Sequence, residues 1–152
     1  MTTSNTSGRK DVFFWTRHGY YGPLSNFWRQ PIKIDEAVWP TSEHYYQAMK
    51  SEDPKEQEMI RNCKKPGDAK LAGYHIRIRE NWEEVKEEYM LKALRVKFTS
   101  RPYLKDLLLG TGNVALHEDS PWDKYWGYAH GEGKDRLGKL LMQVREELQN
   151  GS

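Results

Sequence analysis

The chain has 152 residues, 30% of them charged, with 24 Lys+Arg against 22 Asp+Glu and a formal net charge of +2. That length suits one domain with a real core, and the near balance of charge, with no long run of like charge, does not call for a nucleic-acid groove. A single cysteine, Cys63, excludes an intrachain disulfide and a cysteine-based zinc site, and points to a reducing, cytoplasmic setting, or a nuclear one in a eukaryote.

The opening "MTTSNTSGRK" lacks the apolar centre of a signal peptide and reads as a disordered leader over residues 1–10. No apolar run approaches the roughly 20 residues of a membrane span, so no membrane partner is expected. One domain is expected over 11–149, with a frayed tail at 150–152. "DVFFWT" (11–16) is a short aromatic strand, "HGYYGPLSNF" (18–27) a Gly/Pro/Asn loop, and "PIKIDEAVWP" (31–40) a hairpin around an Asp35-Glu36 turn. Thr41 or Ser42 caps a helix from about Glu43 to Lys50. Asp53 caps a second helix, with Pro54 at its first position, over 53–63. A third covers 65–75, with Gly73 as its stop.

"NWEEVKEEYMLKALRVKF" (81–98) is the clearest helix, its apolar residues recurring at helical spacing between Glu and Lys. "RPYLKDLLLGTG" (101–112) is another, "NVALHE" (113–118) alternates like a strand, and "WGYAHGEGKD" (126–135) is a glycine-rich loop. "RLGKLLMQVREEL" (136–148) closes the chain as an amphipathic helix with Leu137, Leu140, Leu141, Val144 and Leu148 on one face. The fold class is α+β: a mostly helical single domain packed on a small antiparallel β-sheet.

Aromatic residues are 12% of the chain, with 6 Trp and 9 Tyr. Some are core, and the excess suggests flat platforms for a planar ligand. Four clusters carry candidate chemistry. In "PLSNF", Asn26 either forms a turn or aims its amide at a ligand. In "WPTSEHYYQAMK" (39–50), Glu43 lies in the first helical turn with Tyr46, Gln47 and Lys50 on its face. It is either a dipole-favoured glutamate beside core aromatics or a general base. Trp82 is either a core anchor or a stacking face. In "SPWDKYWGYAHGEGKDRLG" (120–138), Asp123 and Trp126 share a surface. The glycine loop there either simply turns or offers backbone N–H groups to an anion. It is neither a Walker nor a Rossmann loop. The five histidines lack zinc spacing, so no metal is expected.

In this order, "PLSNF", "WPTSEHYYQAMK", "ENWEEVKEEYMLKALRVKF" and "WDKYWG…GEGKDRLGKLLMQVREEL" resemble the NADAR, or YbiA-like, domain family, from about Val12 to Leu148. The resemblance implies hydrolysis of an N-glycosidic bond to ribose, without a cofactor or metal. Two substrate classes go with it: ADP-ribosylated guanine in DNA or RNA, which is read first, and phosphoribosylamino-pyrimidine intermediates of riboflavin biosynthesis. In both, ribose is joined to an exocyclic amine. The implied site residues are Glu43, Trp82, Asp123 and Trp126, with Asn26 and Lys50. Phe27, His44, Gly127 and Arg17, beside these motifs, are grouped with them as substrate-binding candidates. The sequence departs from the family pattern at Tyr128 and Asp135, and in a loop one residue shorter; these changes bear on the substrate, not the family.

The roles that follow give Glu43 the developing oxocarbenium charge or the water, Asp123 the departing nitrogen or substrate orientation, and Trp82 and Trp126 the base. Asn26 would bond ribose or base. Lys50 opens a second route, through a Schiff base on the ring-opened sugar. A pure ADP-ribose-binding module, with the same rings and no turnover, is the alternative of a different class. With so little net charge, recognition of a modified base is expected rather than of the nucleic-acid backbone. No obligate protein partner is expected.

Overall fold

The computed structural model describes residues 10–16 and 18–151. The expected leader, apart from Lys10, lies outside the described residues, as do Arg17 and the final residue of the expected tail. No helix among the described residues is long and apolar enough to cross a membrane. The described chain divides into two compact units, Asn26–Lys97 and the remainder.

The Asn26–Lys97 unit begins with the expected hairpin. Strand β2 (Ile32–Ile34) pairs antiparallel with β3 (Ala37–Trp39), Ile32 opposite Trp39. Alternation buries Ile32, Ile34 and Trp39 and leaves Lys33 and Val38 exposed. The two turn residues, Asp35 and Glu36, both take positive φ, 52° and 69°. That geometry matches the right-handed twist of the strands. Helices α1 (Ser42–Ala48), α2 (Pro54–Arg61) and α3 (Pro66–Ala72) follow, and α1 packs on both of the others. Each start follows from the sequence: the Thr41 and Asp53 side chains accept amide hydrogens at N-caps, and Pro54 and Pro66 sit where no amide is needed. Residues 82–97 of α4 (Trp82–Ser100) complete the unit.

The other unit is built on the two expected strands, in a pairing that the sequence did not announce. Strand β1 (Val12–Phe14) runs parallel to β4 (Leu116–Glu118), Val12 opposite Leu116. In place of one antiparallel sheet there are thus, among the described residues, two two-stranded ladders, one antiparallel and one parallel, within the expected α+β class. A parallel pair needs a long crossover, and here about a hundred residues intervene, so local alternation carried no trace of it. Helices α5 (Pro102–Gly110) and α6 (Arg136–Gln149) pack together, and α6 covers β4. Gly138 makes that approach possible: a Cβ there would collide with the Leu116 carbonyl. Leu137, Leu140, Leu141, Val144 and Leu148 form the buried stripe of α6, as their spacing requires.

The hairpin turn yields a stability prediction. A left-handed backbone at Glu36 strains any residue with a Cβ, and an Asp-Gly pair suits this turn. Glu36→Gly is expected to stabilise the protein by about 1 kcal/mol, because the exposed Lys33–Glu36 ion pair it deletes is worth little. A thermal melt checks this; a lower midpoint would contradict it.

Candidate active site

Every residue of α1 is buried. A short helix carrying Ser42, Glu43, His44 and Gln47 into an interior must satisfy those groups within the protein. The Glu43 carboxylate oxygen Oε2 accepts a 2.7 Å hydrogen bond from Nε2 of Gln47, one turn on. The Glu43 amide donates to the Asn26 carbonyl at 3.2 Å. The Asn26 side chain is fixed at both ends: Oδ1 accepts from Ser42 Oγ at 2.8 Å, and Nδ2 donates to Met90 Sδ at 3.3 Å. The Asn26–Ser42 and Glu43–Gln47 side-chain pairs are thus both buried, and the Glu43 amide and Asn26 carbonyl join them through the backbone.

Lys50 stands in the turn just past the same helix, half-buried. Its ammonium lies 6.0 Å from the Tyr46 ring centroid and 5.6 Å from that of Tyr74. Burial pushes its pKa below the ordinary lysine value; the Glu43 carboxylate opposes this, and Lys70 and Lys86 reinforce it. The backbone around it is held by Arg79, a residue that sequence reasoning missed. The Arg79 amide donates to the Lys50 carbonyl at 2.7 Å, Nε to the Met49 carbonyl at 2.8 Å, and Nη2 to the Ser51 carbonyl at 3.2 Å. Gln47 was likewise not singled out as a site residue, although its i+4 spacing from Glu43 was the available signal.

Trp82 is 6% exposed, and its rings are flanked by Tyr46 at 5.2 Å and by Tyr89, stacked at 6.0 Å. The series continues through Tyr45 to Trp39. This is an aromatic seam, with Tyr89 stacked against one side of Trp82. His44 also departs from expectation. It is fully buried, with Nδ1 2.7 Å from Thr41 Oγ1 and Nε2 2.9 Å from the Cys63 carbonyl. Both ring nitrogens are engaged by the protein, so His44 fastens α1 to the residues that follow α2. Phe27 is half-buried, next to Asn26. Arg17 lies outside the described residues.

Asp123, Trp126 and Gly127 belong to the other unit. Asp123 Oδ1 accepts from the amides of Tyr125 and Trp126 at 3.0 and 2.9 Å, so this carboxylate shapes the turn that carries the half-buried Trp126. Gly127 is required by space: a Cβ would stand 2.7 Å from the Asp123 carbonyl oxygen. The glycine-rich loop is not an open anion cradle. The amides of residues 127–129 and 131–137 all donate to carbonyls of the same loop or its neighbours, for example Tyr128 to Glu118 at 2.7 Å and Asp135 to Gly127 at 3.0 Å. An amide engaged in this way cannot also receive a phosphate. Among the described residues, no three His, Cys, Asp or Glu side chains converge as a metal site would need.

Comparison with known proteins assigns the family. The NADAR domain profile matches residues 13–149, and the chain belongs to the NADAR family. It is 48% identical over 140 residues to a protein of Escherichia coli named N-glycosidase YbiA, covering 90% of this chain and 88% of that one. The solution structure of the E. coli protein superposes with a TM-score of 0.86 at 46% identity, covering 93% of this chain and 86% of that one. A riboflavin biosynthesis protein of Vibrio vulnificus is 37% identical over 141 residues, which span 91% of this chain but 38% of that longer protein. The activity class is that of an N-glycosidase, a hydrolase of N-glycosidic bonds.

Two histidines give opposite pH dependences of stability. Burial holds His44 below the ordinary histidine pKa of 6.5. The unfolded chain then takes up the proton first, so its contribution falls as pH drops below about 6.5. His117 is raised by a hydrogen bond of 2.5 Å to Asp135 and one of 3.1 Å to Asp11. Its contribution is fully present below 6.5 and is lost as pH rises through the raised value. Relative to the parent protein, His44→Gln is expected to lessen the loss of stability on going from pH 7.5 to 5.5, and His117→Asn to increase it. Urea unfolding at the two pH values measures both; unchanged differences would contradict the assignments.

Proposed function

We propose that this N-glycosidase cleaves the bond between C1′ of ribose and an exocyclic amine of a purine or pyrimidine, and that the chemistry runs on the Glu43–Lys50 face of α1. The observation that carries this is the buried Asn26–Glu43–Gln47 group beside a lysine whose amine is shifted toward its neutral form. An ionised carboxylate in a partly dry setting stabilises positive charge developing at C1′ far better than one in water.

A second group on the same face supports a covalent route. An aminoriboside can open its sugar ring to an iminium at C1′. The Lys50 amine, once it has lost its proton, adds to that carbon, and proton transfer, with Glu43 as the shuttle, lets the base leave as its free amine. The remaining Lys50 iminium takes up water and releases the ribose aldehyde, which closes to the ring while Lys50 returns as an amine. Asn26, held by Ser42 and Met90, is suited to bond a ribose hydroxyl. Asp123 and Trp126 remain substrate-contact candidates of the other unit, Asp123 acting at least through the turn it holds around Trp126.

Two substrates meet this description. The sequence resemblance favours ADP-ribosylated guanine in nucleic acid. The similarity to a riboflavin biosynthesis protein favours a phosphoribosylamino-pyrimidine, as does the engagement of the glycine-loop amides, which removes one ready cradle for a second phosphate. We therefore rank the phosphoribosylamino-pyrimidine first.

The test offers both substrates to the parent protein, to Glu43→Gln and to Lys50→Ala. Ribose 5-phosphate from the pyrimidine is expected, with a loss of about 10²-fold or more in kcat for Glu43→Gln. Free ADP-ribose from the oligonucleotide alone would reverse the ranking, and no product from either would revive a pure binding module. Borohydride added during turnover is expected to trap a covalent adduct in the parent and none in Lys50→Ala. An adduct that survives in Lys50→Ala, or none in the active parent, would remove the covalent route.

A further inference from the structure

The contact between α1 and α3 contains a glycine that its own backbone does not explain. Gly73 ends α3 with φ of −62°, an ordinary right-handed conformation open to any residue. What excludes a side chain there is Gln47. A Cβ on Gly73 would collide with Gln47 Oε1, stand 3.0 Å from Gln47 Cδ, and lie 3.3 Å from the Lys70 carbonyl. Gln47 is 4% exposed, and its Oε1 is buried without a hydrogen-bond partner. At the other end of the same amide, Nε2 donates to Glu43 at 2.7 Å.

An amide whose carbonyl is unpartnered is oriented by its donor end and by its walls. Turned over, it would face Oε1 toward the Glu43 carboxylate, acceptor against acceptor. The bare Cα of Gly73 lets the amide lie where its N–H meets Glu43. We propose that Gln47 is a positioning residue for Glu43, holding the carboxylate in place and ionised, and that Gly73 is glycine to make room for that amide. A hydrogen bond donated to an ionised carboxylate favours the charged form, the form needed to stabilise cationic character at C1′. The kinetic part of this inference rests on the catalytic role proposed for Glu43; the structural part does not. The nearest charged group the structure couples to Glu43 is Lys50, just past the end of α1, and Lys70 on α3 and Lys86 and Glu83 on α4 act on that same lysine. The variants below leave them in place.

The experiment compares the parent with Gln47→Met, which keeps the volume and loses the donor, Gly73→Ala, which displaces the amide, and the double variant. The Glu43 side-chain carboxyl is followed by carbon NMR through a pH titration without ligand, and the acid limb of kcat/KM is measured on the same proteins. The Glu43 midpoint is expected to rise by about one pH unit, a tenfold change in its ionisation constant. The rise is expected to be similar in all three variants, because Gly73 acts only through Gln47, and the acid limb is expected to move with it. A raised midpoint with an unmoved acid limb would uphold the positioning role and remove Glu43 from catalysis. An unshifted midpoint in a folded Gln47→Met protein would overturn the inference, and this variant decides alone if Gly73→Ala does not fold.

Discussion

A helix with no exposed residue has nowhere to send its polar side chains except to each other and to the chain around them. That constraint governs α1, and the Asn26–Lys97 unit is arranged about it. Thr41 caps the helix and also meets His44 Nδ1; His44 Nε2 reaches the end of α2; Ser42 and Asn26 satisfy one another; Gln47 serves Glu43. Each bond costs little to form in a dry interior and much to break, because an unpartnered buried group loses its water without replacement. A network of this kind rigidifies, and a rigid carboxylate beside a lysine is what bond cleavage at an anomeric carbon requires.

The electrostatics follow from the same burial. Desolvation outweighs the attraction of Glu43 at Lys50, and two further lysines, Lys70 and Lys86, push in the same direction. Lysine clusters and burial are the usual means of making an amine nucleophilic near neutral pH. Lys97 is a more extreme case in the same unit: fully buried, its amine is brought down to about 7 by desolvation alone. Arg79 contributes in a different way, by fastening the three carbonyls from Met49 to Ser51 so that Lys50 leaves the helix along a fixed path.

Much of this was legible in the sequence because it is local. Thr41, Asp53 and Pro54 mark helix starts by chemistry that acts within three residues, and the Leu137-to-Leu148 stripe gives α6 its face. The hairpin was legible from its alternation and the two residues between its strands. The parallel pairing of β1 with β4 was not, since register between distant strands leaves no local mark. His44 illustrates a second limit: its neighbours Glu43 and Gln47 share a polar role, but its ring points to Thr41 and Cys63, and only the packing of α2 decides that. The glycine-rich loop illustrates a third. Its composition left open amides and a simple turn equally possible, and eight amides of residues 126–135 bond carbonyls of the surrounding turns.

The most direct test of the central claim, that the buried polar face of α1 is where ribose chemistry occurs, is a titration of isotopically labelled protein with ribose 5-phosphate, followed through side-chain signals. The amide groups of Asn26 and Gln47 and the Lys50 amine are expected to shift with a common saturation curve. Shifts confined to residues 116–137, with Asn26, Gln47 and Lys50 unmoved at saturation, would contradict it.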